Sequence, residues 1–550
     1  MAAYHGWPAW EFKEARDLST HKVWITDRKE TLRTITFLDY WMLFQYANGF
    51  AVGADYFQLP SARGADWRER EGWILVSVKP TTEEEQRQRE PEFRKRIAPW
   101  IEDFGKQYQK YVDELNEMIA KIKAVDVEKA TDWELKRAFE DWVEFYVYAA
   151  EVHFIWMYAW TIIFTQFEDV CKELLDIDKH DRLFNDLMGG ADHKLLQTDR
   201  GLWHLARQAT ELGLEPLFQS TTDNRKLLSK ISQEGKKGKK WLADLRKFNN
   251  EYGWRTVDNW DISTPSWVED PSMVFPAVRA FMAQPAFAVD EHRQRLVKAR
   301  EKAEKEVISR VPEAERDWFV KLMKAAQWSS VVGEEHIFYC ENYGNALGRL
   351  ITKEVGKRFA EAGLLDDPLD ICFLTPEEIT IRIILRFDAR DTVKIRKQQH
   401  TEFRKVEPPP FFGNPEAIPE TFAKDPALSL AVVPIPRVRP ELKADLYGTT
   451  AAPGVAEGVA HVIMSEKQFH EFKAGEILVT LETSAAWTPL FGLAKAIITD
   501  VGGAASHAAL LGREYGLPVV SGTVEGTKKI KTGMRVKADG DLGVVYILSK

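Results

Sequence analysis

Thr499-Asp500-Val501-Gly502-Gly503-Ala504-Ala505-Ser506-His507-Ala508-Ala509-Leu510-Leu511-Gly512-Arg513-Glu514 is the stretch whose reading decides the fold. The apolar run Ala496-Ile497-Ile498 before it reads as a short buried strand. Ala508 to Leu511 is a good helix start. The unit is therefore strand, Gly-Gly turn, helix, with Ser506 at the N-cap and His507 in the first turn. Paired glycines let backbone approach a ligand with no Cβ in the way. The N–H groups and dipole of a helix start favour an anion. A histidine placed there can attack a phosphoryl group while the backbone holds its oxygens. The plainer alternative is a surface or capping histidine.

The wider context favours the chemical reading. Gly-Gly-x-x-Ser-His-Ala-Ala followed by Arg-Glu-x-Gly-Leu-Pro-Val-Val resembles the swivelling phosphohistidine domain of the phosphoenolpyruvate-utilising enzymes. Ala452-Pro453-Gly454-Val455-Ala456-Glu457-Gly458, Gly475-Glu476-Ile477-Leu478-Val479 and Trp487-Thr488-Pro489-Leu490-Phe491 stand upstream in the family's order. The resemblance implies that His507 carries the phosphoryl group and that Gly502, Gly503, Ser506 and Arg513 bind it. Two departures stand out. Ala505 replaces a threonine through which some dikinases are regulated, and Thr483-Ser484-Ala485 replaces a common Thr-Asp-Pro.

The chain has 550 residues, enough for roughly two to four domains. Its net charge of -9 and pI of about 5.9 argue against a nucleic-acid or anionic-membrane binder. Cys171, Cys340 and Cys372 are widely separated, form no zinc or redox pattern, and suit a reducing cytoplasm. No metal-ligand set is read from the sequence. Met1 to Lys13 lacks the apolar core of a signal peptide. The charge-free run Phe154 to Phe167 is too short to span a bilayer and fits a buried helix.

Residues 1 to about 85 read as mixed structure. From about Glu83 the spacing is helical, with a start at Thr131-Asp132-Trp133-Glu134 and further helices over 200–212, 225–248, 272–284, 289–309, 313–327 and 333–362. The expectation is a mostly α-helical acceptor-binding domain over 1–407. A proline-rich, extended linker follows over 408–440. Short strands and an Asp539-Gly540 turn then mark a small α/β swivelling domain over 441–550.

The helical part also resembles the substrate domain of rifampicin phosphotransferase-like enzymes. The carrying stretches are Phe248 to Arg255, Asp261 to Pro271, Gly333 to Tyr339, and Leu364 to Pro368 with Phe373-Leu374-Thr375. No glycine-rich nucleotide loop or ATP-grasp-like stretch is read, and 43 residues follow His507, too few for a pyruvate-binding barrel. The expectation is a separate ATP-grasp-type subunit that binds ATP and Mg2+. Such a split resembles phenylphosphate synthase and related phenol-phosphorylating enzymes. The resemblance thus implies a cytoplasmic, heteromeric phosphotransferase that makes an aryl phosphate, AMP and phosphate. The rivals are transfer to a larger alcohol, such as an antibiotic hydroxyl, and a non-catalytic phospho-relay.

All but one of the 19 tryptophans precede residue 330. They fill a large helical core, and such walls also suit an aryl ring. A phenol, like tyrosine, ionises near pH ~10, so a base would help its attack on phosphohistidine. His336 is the first candidate, because Tyr339 and Cys340, three and four residues on, would share its helical face. Glu335 and His153 come next. Trp254 and Tyr339 are candidate ring contacts, and Arg255 could hold a phosphoryl oxygen.

Overall fold

The computed structural model describes residues 17–27, 35–70, 72–178, 181–256, 261–283, 289–406, 408–431, 439–483, 487–503 and 506–549. The readings made at Met1 to Lys13, at Ser484 and Ala485, and at Ala505 lie outside them. The chain forms two compact units, each assembled from three stretches. The first takes Met1–Ala159, Trp254–Ser266 and His336–Ser429; the second takes Trp160–Gly253, Trp267–Glu335 and Leu430–Lys550.

The first unit has a small antiparallel sheet of β1 (Val23–Thr26), β2 (Ala62–Arg70), β3 (Trp73–Pro80) and β4 (Phe411–Gly413), in the order β2-β3-β1-β4. This accounts for the mixed texture near the N-terminus. The rest is helical. The Thr131-x-x-Glu134 signal is a true capping box: the Thr131 N–H reaches the Glu134 carboxylate at 2.8 Å, and the Glu134 N–H reaches the Thr131 hydroxyl at 3.3 Å. It opens the 44-residue helix Asp132–Leu175. Among the described residues this helix is long and apolar enough to cross a membrane, yet 72% of its most apolar window is buried inside the protein. One close crossing fixes its packing on Tyr343–Glu361. Trp142 is fully buried and donates its indole N–H to the Gly344 carbonyl at 2.8 Å. A Cβ at Gly348 would lie 2.4 Å from that indole ring.

The proline-rich segment is not simply extended. Over 408–431 it carries β4, the helix Ile418–Phe422 and the helix Pro426–Ala431. Ile418, Phe422 and Leu428 are buried in the first unit. Prolines permit this because a first helical turn needs no N–H from them; Pro415 and Pro419 both sit there. Buried Asp425 anchors the segment. It accepts the Tyr158 hydroxyl at 2.6 Å and the Leu428 N–H at 3.0 Å. Residues 432–438, with Pro434 and Pro436, lie outside the described set.

The second unit pairs helices with an eight-stranded sheet. Its strands are β5 (Leu446–Tyr447), β6 (Thr449–Ala452), β7 (Val455–Val462), β8 (Ile477–Thr480), β9 (Ala496–Thr499), β10 (Val519–Ser521), β11 (Arg535–Asp539) and β12 (Val544–Ser549). Their order is β5-β12-β11-β7-β8-β9-β10-β6, and β7 through β10 run parallel. Both faces of the parallel strands are buried, and alternation assigns each residue. Leu478, Ile497 and Val519 join a core with Leu202, Trp241 and Phe275 of the helices. Ile477, Val479, Ile498 and Val520 face the opposite side, with Val536 and Val545.

The two ends of the strand order, β5 and β6, are separated in the chain only by Gly448. Eight flat strands would put these ends about 34 Å apart at the usual ~4.8 Å spacing. The sheet therefore rolls closed, with the Gly448 N–H on the Gly543 carbonyl at 2.8 Å. The single helix read over 225–248 is two, Asn224–Ser232 and Gly235–Tyr252. Gly235 takes a left-handed φ of 61° at the break.

Two outcomes are expected. Gly348→Ala should destabilise the protein by about 1–3 kcal/mol, since the enclosed Trp142 ring cannot yield; urea midpoints measure this. Burial pushes the Asp425 carboxyl from 3.8 up to about 6. A raised folded value favours the protonated form, so its contribution is full below about pH 4 and is lost as pH rises through about 6. Asp425→Asn should remove that loss, on the order of 2–3 kcal/mol, so the variant should gain on wild type between pH 4.5 and 7.5 in urea titrations.

Candidate active site

Parallel strands β8, β9 and β10 bring three loops to one end of the sheet, at their carboxyl ends. His507 starts the helix His507–Tyr515 that follows β9, and Ser506 caps it by accepting the Ala509 N–H at 3.3 Å. Thr483, just past β8, holds His507: its Oγ1 lies 2.8 Å from Nδ1. The edge of the His507 ring meets Phe491 at 5.7 Å and 88°. The imidazole is half-buried. Its plane is thus fixed by one hydroxyl and one aromatic face.

The Gly-Gly turn is braced from beneath. Gly502 has φ 114°, and a Cβ there would lie 2.6 Å from Ser521 Oγ and 2.8 Å from Ser506 Cβ. Glycine is required by the backbone conformation as well as by close approach. Ser521 Oγ lies 2.8 Å from Thr499 Oγ1 and 3.4 Å from Ser506 Oγ. Buried Asp500 accepts the Thr523 hydroxyl at 2.9 Å and the Thr527 N–H at 3.1 Å. The far end of the His507 helix is tied too. Glu514 lies 3.2 Å from Nε2 of buried His193, whose Nδ1 accepts the Leu196 N–H. A ring accepting on Nδ1 carries its proton on Nε2 and donates it to Glu514.

Attack by Nε2 needs the proton on Nδ1, where Thr483 Oγ1 can accept it; the hydroxyl can equally donate to Nδ1, so the 2.8 Å contact orients the ring without choosing the tautomer. Charge gathering at the helix start is favoured by the dipole. Gly502, Gly503 and Ser506 lie where the sequence places them. Arg513 requires a correction: its guanidinium donates to the Ala451 carbonyl at 2.7 Å. Six residues along a helix also turn it about 120° off the His507 face and about 9 Å down the axis. It ties the helix to β6.

The first unit holds a second group. His153 and His336 are both buried, with ring centroids 4.6 Å apart at 78°. Glu341 Oε1 lies 3.3 Å from His153 Nδ1. The Tyr46 ring stands edge-on to His153 at 4.9 Å. Tyr339 is buried against Phe338 and Trp156. Trp254 stacks on Tyr343 at 5.2 Å and 21°, with the Lys123 ammonium 4.2 Å from its ring. The Arg255 guanidinium lies 5.1 Å over Phe338.

Two expectations change here. Residues 337–342 form a π-helical turn between the helices Arg316–His336 and Tyr343–Glu361. The α-helical spacing that put Tyr339 and Cys340 on the His336 face does not hold across it, and Glu341 joins His336 instead. Glu335 belongs to the second unit, where its carboxylate accepts the Lys194 N–H at 3.0 Å and so supports the start of the helix Lys194–Glu211. That is an anchoring role, not the base expected beside His336. Sequence reading missed Glu341 and the hold of Thr483 on His507. An open groove of the first unit, lined by Asp366, Asp370, Arg390, Lys394 and Lys397, contains none of the nominated residues.

Residues 151–330 match the rifampicin phosphotransferase fourth domain, and residues 472–543, including His507, match the PEP-utilising enzyme mobile domain. The chain is 27% identical over 417 residues to an uncharacterised phosphotransferase, YvkC, of Bacillus subtilis strain 168, covering 75% of this chain and 49% of that protein. It is 30% identical over 321 residues to a rifampicin phosphotransferase of Streptomyces sviceus, covering 56% and 34%. It is 30% identical over 472 residues to chondramide synthase cmdD of Chondromyces crocatus, covering 82% and 12%. The chain thus aligns with half or less of the length of each of these relatives.

Thr483→Val should release the imidazole ring. In 15N NMR of histidine-labelled protein, the balance of Nδ1–H and Nε2–H forms of His507 should differ between wild type and variant. Phosphorylation of His507 should slow by about 10–100-fold, the usual cost of losing a partner that orients a histidine.

Proposed function

Because the chain carries a PEP-utilising mobile domain and is related over part of its length to the rifampicin phosphotransferases, we propose that it is the phosphohistidine-carrying, acceptor-binding subunit of an ATP-dependent phosphotransferase that phosphorylates a phenolic hydroxyl. The observation that carries the reading is His507, oriented by Thr483 at a helix start within the mobile domain. ATP and Mg2+ belong to a separate ATP-grasp-type subunit.

The reaction has two halves. In the first, His507 Nε2 bonds to the β-phosphorus of ATP as the bond to the α-phosphate oxygen breaks, and AMP leaves. The γ-phosphate is released by water. In the second, the phenolic oxygen bonds to the same phosphorus as the N–P bond breaks, returning neutral imidazole and an aryl phosphate. The hydroxyl proton is given up beside the group formed by His153, His336 and Glu341 and passes to water. Attacking oxygen and phosphorus must come within about 3–3.5 Å. One histidine serving two sites therefore has to travel, and a swing of 441–550 by itself would have to part the core it shares with Leu202, Trp241 and Phe275.

The rings of Tyr46 and Phe154 against His153 support an aryl acceptor. Trp254 stacks on Tyr343 and Arg255 lies over Phe338, contacts of the same unit. A larger alcohol is the second reading, favoured by the kinship with rifampicin phosphotransferases.

His507→Ala should abolish transfer while a phenol still binds, because nucleophile and ring contacts lie on different elements. Mass spectrometry after incubation with partner and ATP should show an acid-labile phosphate on wild type alone. A panel of phenols and macrocyclic alcohols then identifies the acceptor. Full activity of His507→Ala would sink the reading; turnover of macrocycles but no phenol would replace the acceptor class.

A further inference from the structure

His153, His336 and Glu341 place two imidazole nitrogens and a carboxylate oxygen within 4.8 Å of one another. All three residues are at most 7% exposed. Buried groups of this kind are paired or coordinate a metal. His153 and Glu341 do form a pair at 3.3 Å, yet a pair leaves unexplained why His336 is brought edge-to-face with His153.

The backbone supplies the second observation. His336 and Glu341 are five residues apart. In an α-helix, five residues turn 500°, which would set the two side chains about 140° apart. The π turn over Ile337–Asn342, with its i→i+5 spacing, restores them to one face. Such turns are less stable than α-helix and cluster at functional sites. This one is specifically braced: Asn342 donates to the Ile337 carbonyl at 3.2 Å and accepts the Thr256 N–H at 3.4 Å. The chain thus departs from regular helix where the departure adds Glu341 to two histidines.

We propose that His153, His336 and Glu341 bind a divalent transition-metal ion, with zinc the best fit. Two imidazoles and one carboxylate form the three-ligand set of zinc sites that keep a position open. At metal–ligand lengths of about 2.0–2.2 Å, tetrahedral donors stand about 3.3 Å apart. The His153 Nδ1–Glu341 Oε1 spacing of 3.3 Å already matches that value. Tyr46 and Phe154 enclose the site in aromatic surface, which strengthens charge interactions inside it. A cation there would favour loss of the acceptor hydroxyl's proton. That role rests on the acceptor reading above; the ion site itself does not.

The test uses the full chain, stripped with chelator and titrated with Zn2+ alone. Wild type should retain close to one equivalent after desalting and melt at higher temperature with zinc. X-ray absorption should show two imidazoles and one oxygen ligand at about 2.0–2.2 Å and no sulfur at about 2.3 Å. His153→Ala, His336→Ala and the near-isosteric Glu341→Gln should each weaken binding by more than the ~10–100-fold that loss of an outer partner costs. No retained zinc in wild type, a sulfur ligand, or unchanged binding in folded variants overturns the proposal. If a variant does not fold, the wild-type absorption spectrum decides. Zinc binding without phenol phosphorylation would leave the site standing and fell only the acceptor reading. Phenol turnover at the same rate without metal would do the reverse for the ion's catalytic role.

Discussion

Burial of both faces of strands β8, β9 and β10 is the constraint from which the rest follows. Parallel strands are covered on both sides because their connections cross over the faces. Here one face is met by helices that include Leu202, Trp241 and Phe275, and the other by Val536 and Val545. With both faces closed, chemistry is left to the loops at the carboxyl ends of the strands. Those loops deliver Thr483 and His507, and Ser521 closes β10 at the same end. The nucleophile, its orienting hydroxyl and the brace under the glycine turn arise from three neighbouring strands. Apolar packing that never touches a ligand therefore sets how well the imidazole is aimed.

The two candidate groups are built by different means. The His507 group is a local device: a cap, a left-handed glycine and hydroxyls close in space after a regular strand. The His153 group depends on a helix departing from regularity. Its members come from positions 153, 336 and 341, and one of them reaches its place because a single turn is wider than its neighbours. In the first case backbone conformation is dictated by residue type; in the second, tertiary packing overrides local preference.

This difference explains what could be read from sequence. Gly502, Ser506 and His507 were legible because glycine, serine and a helix start each carry a local physical meaning. Strands β8 to β10 are legible as short apolar runs. Glu341 was not, because its pairing with His336 requires five-residue spacing, while the reading assumed three and four. Glu335 and Arg513 look reactive as residue types, and only tertiary partners, the Lys194 N–H and the Ala451 carbonyl, show them to be ties. The proline-rich stretch read as tether through composition alone. Proline in a first helical turn is compatible with packing, and Leu428 and Phe422 use that freedom.

The closure of the eight-stranded sheet at Gly448 bears on how the protein would fail. An open sheet ends in rows of unpaired N–H and C=O groups that recruit strands from other molecules. Here the two end strands are short, two residues in β5 and four in β6, and a single glycine joins them, so the sheet offers little hydrogen-bonding template at either end. Loss of the helical cover would expose Leu478, Ile497 and Val519, which is an apolar face. Self-association of such a species would be driven by greasy contact and reversed by mild detergent or dilution, with no seed for fibrous cross-β growth.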